Sequence, residues 1–168
     1  MRRYSRLGLN WLAAVLMGAT IAGCATTPTT PAPAFYVMRH LNTPAGERDP
    51  DLLPEGRRLA GLLSERLRAR PPATIFVSTF KRTRQTADPL AARLGLTPFV
   101  YDPADTPGLI ARARAAPGPV LIVGHSNTVP DIVQQLGGER PANLTHPDFG
   151  DLWRIAPGGA TVRERIAD

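Results

Sequence analysis

The chain has one cysteine, Cys24, and one lysine, Lys81, so nineteen of its 20 basic residues are arginine. A lone cysteine excludes an intrachain disulfide framework. There is no Cys/His cluster with zinc spacing and no Asp-rich loop suited to magnesium or calcium, so no metal site is expected. Internal repeats are absent, as are long Lys/Arg tracts that would track a phosphate backbone, and nucleic acid is not an expected partner. The longest apolar stretch, between Trp11 and Ala22, is too short for a comfortable membrane span.

That stretch has another reading. Arg2, Arg3 and Arg6 precede it, and Ile21-Ala22-Gly23-Cys24 closes it. A basic start, a short apolar middle and small residues at the end describe a secretory signal. Its end resembles the lipobox of bacterial lipoproteins, in which the cysteine is lipidated and becomes the first mature residue. Residues 1–23 are therefore expected to be a signal peptide and Cys24 a lipid attachment point. The position after it is Ala25 rather than Asp, which by the same resemblance favours the outer membrane, facing the periplasm. Removing the three arginines reduces the formal net charge from +6 to +3, a modest bias toward anionic substrates. Residues 24–34 are rich in Thr and Pro and form no core; such chain extends at ~3.1 Å per residue, a tether of about 30 Å.

From residue 35 onward, apolar runs alternate with amphipathic segments. The sequence predicts strands at 34–38, 74–77, 97–101 and 120–123, and a strand pair at 151–155 and 160–166 around Pro157-Gly158-Gly159. Helices are expected at 54–70, 83–94 and 105–116, with Gly95 ending the second and Asp105 capping the third. A further helix starts at Thr128-Val129-Pro130-Asp131, which has capping-box spacing, and stops at Gly137-Gly138. Alternating strand and helix means one α/β domain, 35–168, with a mostly parallel sheet covered on both faces.

Three apolar runs end in polar residues able to do chemistry. Phe35-Tyr36-Val37-Met38 ends in Arg39-His40, Ile75-Phe76-Val77 leads to Lys81-Arg82-Thr83, and Val120-Leu121-Ile122-Val123 ends in Gly124-His125. In open α/β sheets ligands bind beyond the carboxyl ends of the strands. Arg39-His40, Arg82-Thr83-Arg84-Gln85-Thr86-Ala87 and Gly124-His125-Ser126-Asn127, in that order, resemble the motifs of the histidine phosphatase superfamily. The segment Asp49-Pro50-Asp51-Leu52-Leu53-Pro54-Glu55-Gly56-Arg57 is similar to the stretch between that family's first strand and helix.

The resemblance implies a phosphoglycerate-mutase-like, three-layer α/β/α sandwich and a metal-independent phosphatase without cofactor. His40 would be the nucleophile, forming a phosphohistidine. Arg39 and Arg82 would grip the phosphoryl oxygens, with Asn42 as a further donor, and His125 would stabilise the transition state. The proton donor to the leaving group is expected in the loop after the third strand, at Asp102 or Asp105. His146, outside any motif, reads as a surface loop residue. Leu41-Asn42-Thr43 departs from the family's usual residues after the histidine, and no lid insertion is present. These features leave open a small phosphomonoesterase acting on a phosphorylated small molecule or envelope component. The alternative is a degenerate lipoprotein that binds a phosphorylated ligand without turnover.

Overall fold

The computed structural model describes residues 34–146 and 148–167. The signal segment, Cys24 and the tether up to residue 33 lie outside the described residues. Among the described residues no helix is long and apolar enough to cross a membrane.

The elements run β1 (Phe35–Arg39), α1 (Pro54–Arg66), β2 (Thr74–Ser78), α2 (Lys81–Leu94), β3 (Phe99–Tyr101), α3 (Thr106–Ala115), β4 (Val120–Gly124), α4 (Val129–Gln135), β5 (Asp151–Ile155) and β6 (Thr161–Arg165). They build one sheet of order β3-β2-β4-β1-β5-β6. The four strands β1 to β4 are mutually parallel, and β5 and β6 extend the sheet antiparallel beside β1.

Strand alternation sorts the core into two clusters. Tyr36 and Met38 of β1 face the layer of α1 and α2 with Leu59, Leu63, Leu90 and Leu121. Phe35 and Val37 face the other way, against α3 and α4 with Leu109, Val120, Ile132 and Trp153. The chain steps outward from β1 to β3 and then returns to β4. Right-handed crossovers made in opposite directions put their helices on opposite faces, which produces the three layers. The expected fold class is the observed one.

Element ends show where local reading stopped. Helix α2 begins at Lys81, two residues before the expected start, because the Asp49 carboxylate accepts from the Lys81 backbone N–H at 3.0 Å and caps the helix from 32 residues upstream. Gly95 closes α2 in the left-handed conformation, φ 64°, as expected. Asp105 caps α3 by accepting from the Gly108 N–H at 2.9 Å. The capping box at α4 does not form. Thr128 Oγ1 accepts from the His125 N–H at 3.0 Å instead, and Asp131 pairs with Arg140.

Helix α1 contains two glycines in opposite situations. A Cβ at Gly56 would lie 2.6 Å from the Asn42 carbonyl oxygen, and the same carbonyl accepts from the Leu53 N–H at 2.8 Å. Gly61 faces open space. Gly56→Ala is expected to destabilise the domain by roughly 1–3 kcal/mol, and Gly61→Ala to stabilise it by about 0.5–1 kcal/mol. Urea denaturation of the two variants measures both signs; equal effects would contradict the close approach at Gly56.

Candidate active site

Parallel strands align their carboxyl ends. β1 pairs in register with β4, so Arg39 lies beside Gly124, and the His40 N–H continues the ladder to the Gly124 carbonyl at 2.9 Å. His40 and His125 therefore leave adjacent strands side by side, with ring centroids 5.4 Å apart. Both rings are buried, 5 % and 6 % exposed, at the floor of a cleft of about 500 Å³ that Arg39, Arg82, Phe80 and His146 also line.

Hydrogen bonds set the protonation pattern of each ring. His40 Nδ1 lies 2.9 Å from the Leu41 carbonyl, which only accepts, so Nδ1 carries the proton and Nε2 keeps a free lone pair. His125 Nδ1 lies 3.3 Å from Arg82 Nη2, which only donates. Its proton is thus on Nε2, which donates to Ser78 Oγ at 2.9 Å. Ser78 passes the chain on to Thr83, whose hydroxyl donates to the Phe80 carbonyl at 2.8 Å. Burial is the largest cause that lowers the His40 pKa from 6.5 to about 3; the Leu41 carbonyl opposes it, and His125, Arg39 and Arg82 add to it. Burial, then Arg82 and Arg39, lower that of His125 to about 4. Both rings are neutral near pH 7.

The guanidiniums are fixed differently. Arg39 Nη1 donates to the Thr145 and Asp148 carbonyls at 2.7 and 3.1 Å, and its guanidinium stacks 4.1 Å from the Phe149 ring centroid. Its Nε is buried without a hydrogen-bond partner. Arg82 stacks on Phe80 at 4.2 Å and donates to the Arg48 carbonyl, with Asp49 Oδ1 at 3.4 Å. The rest of its motif holds the loop after His40. Thr86 Oγ1 accepts from the Leu41 N–H and donates to the Arg82 carbonyl, while Gln85 joins the Leu52 N–H to Asp51.

Four of the residues singled out from sequence, Arg39, His40, Arg82 and His125, line this cleft. Three others do not. Asn42 does not line the cleft; its backbone carbonyl accepts from the Leu53 N–H, and its buried Oδ1 has no hydrogen-bond partner. Asp102 is exposed and accepts from the Ala104 N–H at 2.9 Å. Asp105 is occupied as the α3 cap. Only Pro103 of that loop reaches the cleft. Two ionisable cleft residues went unselected in the sequence: Glu47, and His146, whose ring packs edge-on against Phe149 at 5.1 Å. Among the described residues there is no cluster of three His, Cys, Asp or Glu that could hold a metal ion.

Residues 35–104 match the model of the histidine phosphatase superfamily (branch 1). No curated protein matches the chain. Among solved structures, a protein histidine phosphatase SixA complexed with tungstate superposes with a TM-score of 0.60 at 17 % identity, covering 80 % of this chain and 97 % of that one. A mycobacterial glucosyl-3-phosphoglycerate phosphatase complexed with VO3 gives 0.62 at 18 % identity, covering 80 % and 98 %. The same mycobacterial phosphatase with inorganic phosphate gives 0.59 at 20 %, covering 74 % and 90 %. The matched segment is similar to that superfamily over 70 of the 168 residues, and the solved structures share the fold of the domain.

The lowered histidine pKa values make stability depend on pH. An unfolded chain binds protons at these rings below about pH 6.5, whereas the folded one does so only near 3 to 4. Stability is thus full above pH 6.5 and lost as pH falls toward 4. From pH 7 to pH 5 each ring is expected to cost on the order of 2 kcal/mol. Thermal unfolding of wild type, His40→Gln and His125→Gln at both pH values checks this. Each variant should lose less stability than wild type; identical losses would mean the rings are not buried neutral.

Proposed function

We propose that the protein is a metal-independent phosphomonoesterase that works through a phosphohistidine at His40 and is tethered in the bacterial envelope by lipid on Cys24. The observation that carries the catalytic half is the fixed tautomer of His40: a buried neutral ring, its Nδ1–H spent on the Leu41 carbonyl and its Nε2 lone pair unprotonated, in a cleft with two arginines.

In the first step His40 Nε2 attacks phosphorus, the Nε2–P bond forms, and the ester P–O bond breaks with its electrons on the leaving oxygen. Arg39 and Arg82 supply fixed positive charge to the phosphoryl oxygens, and guanidinium forks suit that geometry. A bound dianion favours uptake of a solvent proton at His125 Nδ1, which then donates to a phosphoryl oxygen while Nε2–H stays on Ser78, and that proton returns to solvent when phosphate leaves. In the second step water attacks phosphorus, the Nε2–P bond breaks, and phosphate leaves with His40 neutral again. The solved neighbours are named for action on phosphohistidine and on a phosphorylated sugar acid and were captured with tungstate, VO3 or phosphate. A small phosphomonoester or a phosphorylated envelope component is in keeping with a cleft of about 500 Å³ without an inserted lid. The tethering half rests on residues 1–34 of the sequence.

The test is hydrolysis of p-nitrophenyl phosphate by the full chain in detergent, with EDTA present. Wild type is expected to turn over, and rapid quench to trap phosphate on His40. His40→Ala should lose at least about 10³-fold in kcat, the scale set by removing an essential nucleophile. Phosphate binding without turnover or phosphoenzyme would support the ligand-binding alternative. For the tether, Cys24→Ala is expected to move the protein from the membrane to the soluble fraction of the envelope. An unchanged distribution would remove the lipid anchor from the proposal.

A further inference from the structure

Breaking the P–O bond of an alkyl ester requires a proton for the leaving oxygen, and both aspartates after β3 are engaged elsewhere. The geometry points to His146 as that proton donor. It rests on the phosphohistidine reading of the same site.

His146 lies on the cleft wall with Arg39, His40 and His125. Its loop is part of the site: Thr145 and Asp148, on either side of it, present the carbonyls that hold Arg39. The Phe149 ring joins the groups, stacking on Arg39 at 4.1 Å, 5.8 Å from His40 and 5.1 Å from His146. His40 and His125 are buried on the floor, whereas His146 is exposed at the mouth. In-line displacement expels the leaving group on the side away from His40, toward that mouth. The ring is held by Phe149 and by a long Nε2 contact of 3.4 Å to the Thr43 carbonyl, so it is free to adjust to a substrate. The ionisable groups around it are Arg39, His40, Glu47, Arg82 and His125 across the cleft and Asp148 on its own loop.

Glu47 is the other ionisable side chain on the wall outside the pair of buried histidines and the two arginines. His146 is the one placed by contacts on both sides of the cleft mouth, the Phe149 ring and the Thr43 carbonyl, and an imidazolium N–H is a competent proton donor. In the step, the imidazolium N–H of His146 passes its proton to the leaving oxygen as the P–O electrons move onto it, and the alcohol departs with His146 neutral. The ring recovers its proton from the water that attacks the phosphohistidine.

The experiment compares kcat/KM, which reports the phosphorylation step, for p-nitrophenyl phosphate and glycerol 1-phosphate in the full chain. p-Nitrophenolate leaves without a proton; glycerol does not. His146→Gln is expected to lower kcat/KM about 10²-fold for glycerol 1-phosphate and to change p-nitrophenyl phosphate less than about threefold. Free imidazole should restore part of the alkyl activity of His146→Ala, which a merely structural role would not allow. Equal loss on both substrates, no loss on either, a wild type inactive on the alkyl ester, or selective loss in Glu47→Gln would each overturn the assignment. If phosphate is trapped on wild-type His40 but His146→Gln matches wild type, only this inference fails. If no phosphoenzyme forms, both readings fail together.

Discussion

The hydrogen bond from His40 Nδ1 to the Leu41 carbonyl is the interaction on which the site depends. It decides which nitrogen is free, and it does so with a group that cannot change protonation state. A carboxylate in that place would tolerate an imidazolium; a carbonyl in a buried site with two guanidiniums nearby does not. The carbonyl is itself fixed because the same residue's N–H is tied to Thr86, whose hydroxyl is tied to the Arg82 carbonyl. One side chain of α2 thus couples the loop after His40 to the helix turn that carries Arg82. The parallel pairing of β1 with β4 then sets His125 beside His40.

Much of this was legible. Three apolar runs ending in polar residues put Arg39, Arg82 and His125 at one edge of the sheet, and they line one cleft there, because the carboxyl ends of parallel strands share an edge whatever the loops do. Local turn chemistry gave Gly95 and Asp105 their places. The failures share a cause. Asp49 starts α2 from 32 residues away, so no local window contains the signal. Thr128 looks like a cap, but the turn at Gly124-His125 leaves the His125 N–H needing an acceptor, and that need takes the hydroxyl. Asn42 follows His40 closely in sequence, yet it does not line the cleft, and its backbone carbonyl holds the Leu53 N–H just ahead of α1. His146 lies in a loop whose path is set by stacking on Arg39, a tertiary contact that spacing does not encode.

The two arginines divide the electrostatic work. Arg39 is 7 % exposed, and its guanidinium is held by carbonyl dipoles and an aromatic face rather than by a carboxylate oxygen. The Asp148 carboxylate opposes its charge through space without bonding to it, which leaves the guanidinium available to an anion in the cleft. Arg82 has Asp49 at 3.4 Å, but Asp49 also caps α2, and its side chain is 32 % exposed. A pair of that geometry and exposure contributes roughly 0–1 kcal/mol. Hydrogen bonds from guanidinium to a phosphoryl dianion contribute about 1.5–3 kcal/mol each. A phosphoryl dianion, the ligand proposed above, would on these magnitudes outcompete Asp49 for Arg82, while Asp49 keeps the Lys81 N–H and the helix start in place. Asp49 then acts as a counter-ion that steadies the empty site without closing it. The uneven treatment of the two guanidiniums follows from their positions, Arg39 at the end of a buried strand and Arg82 in the first turn of a half-open helix.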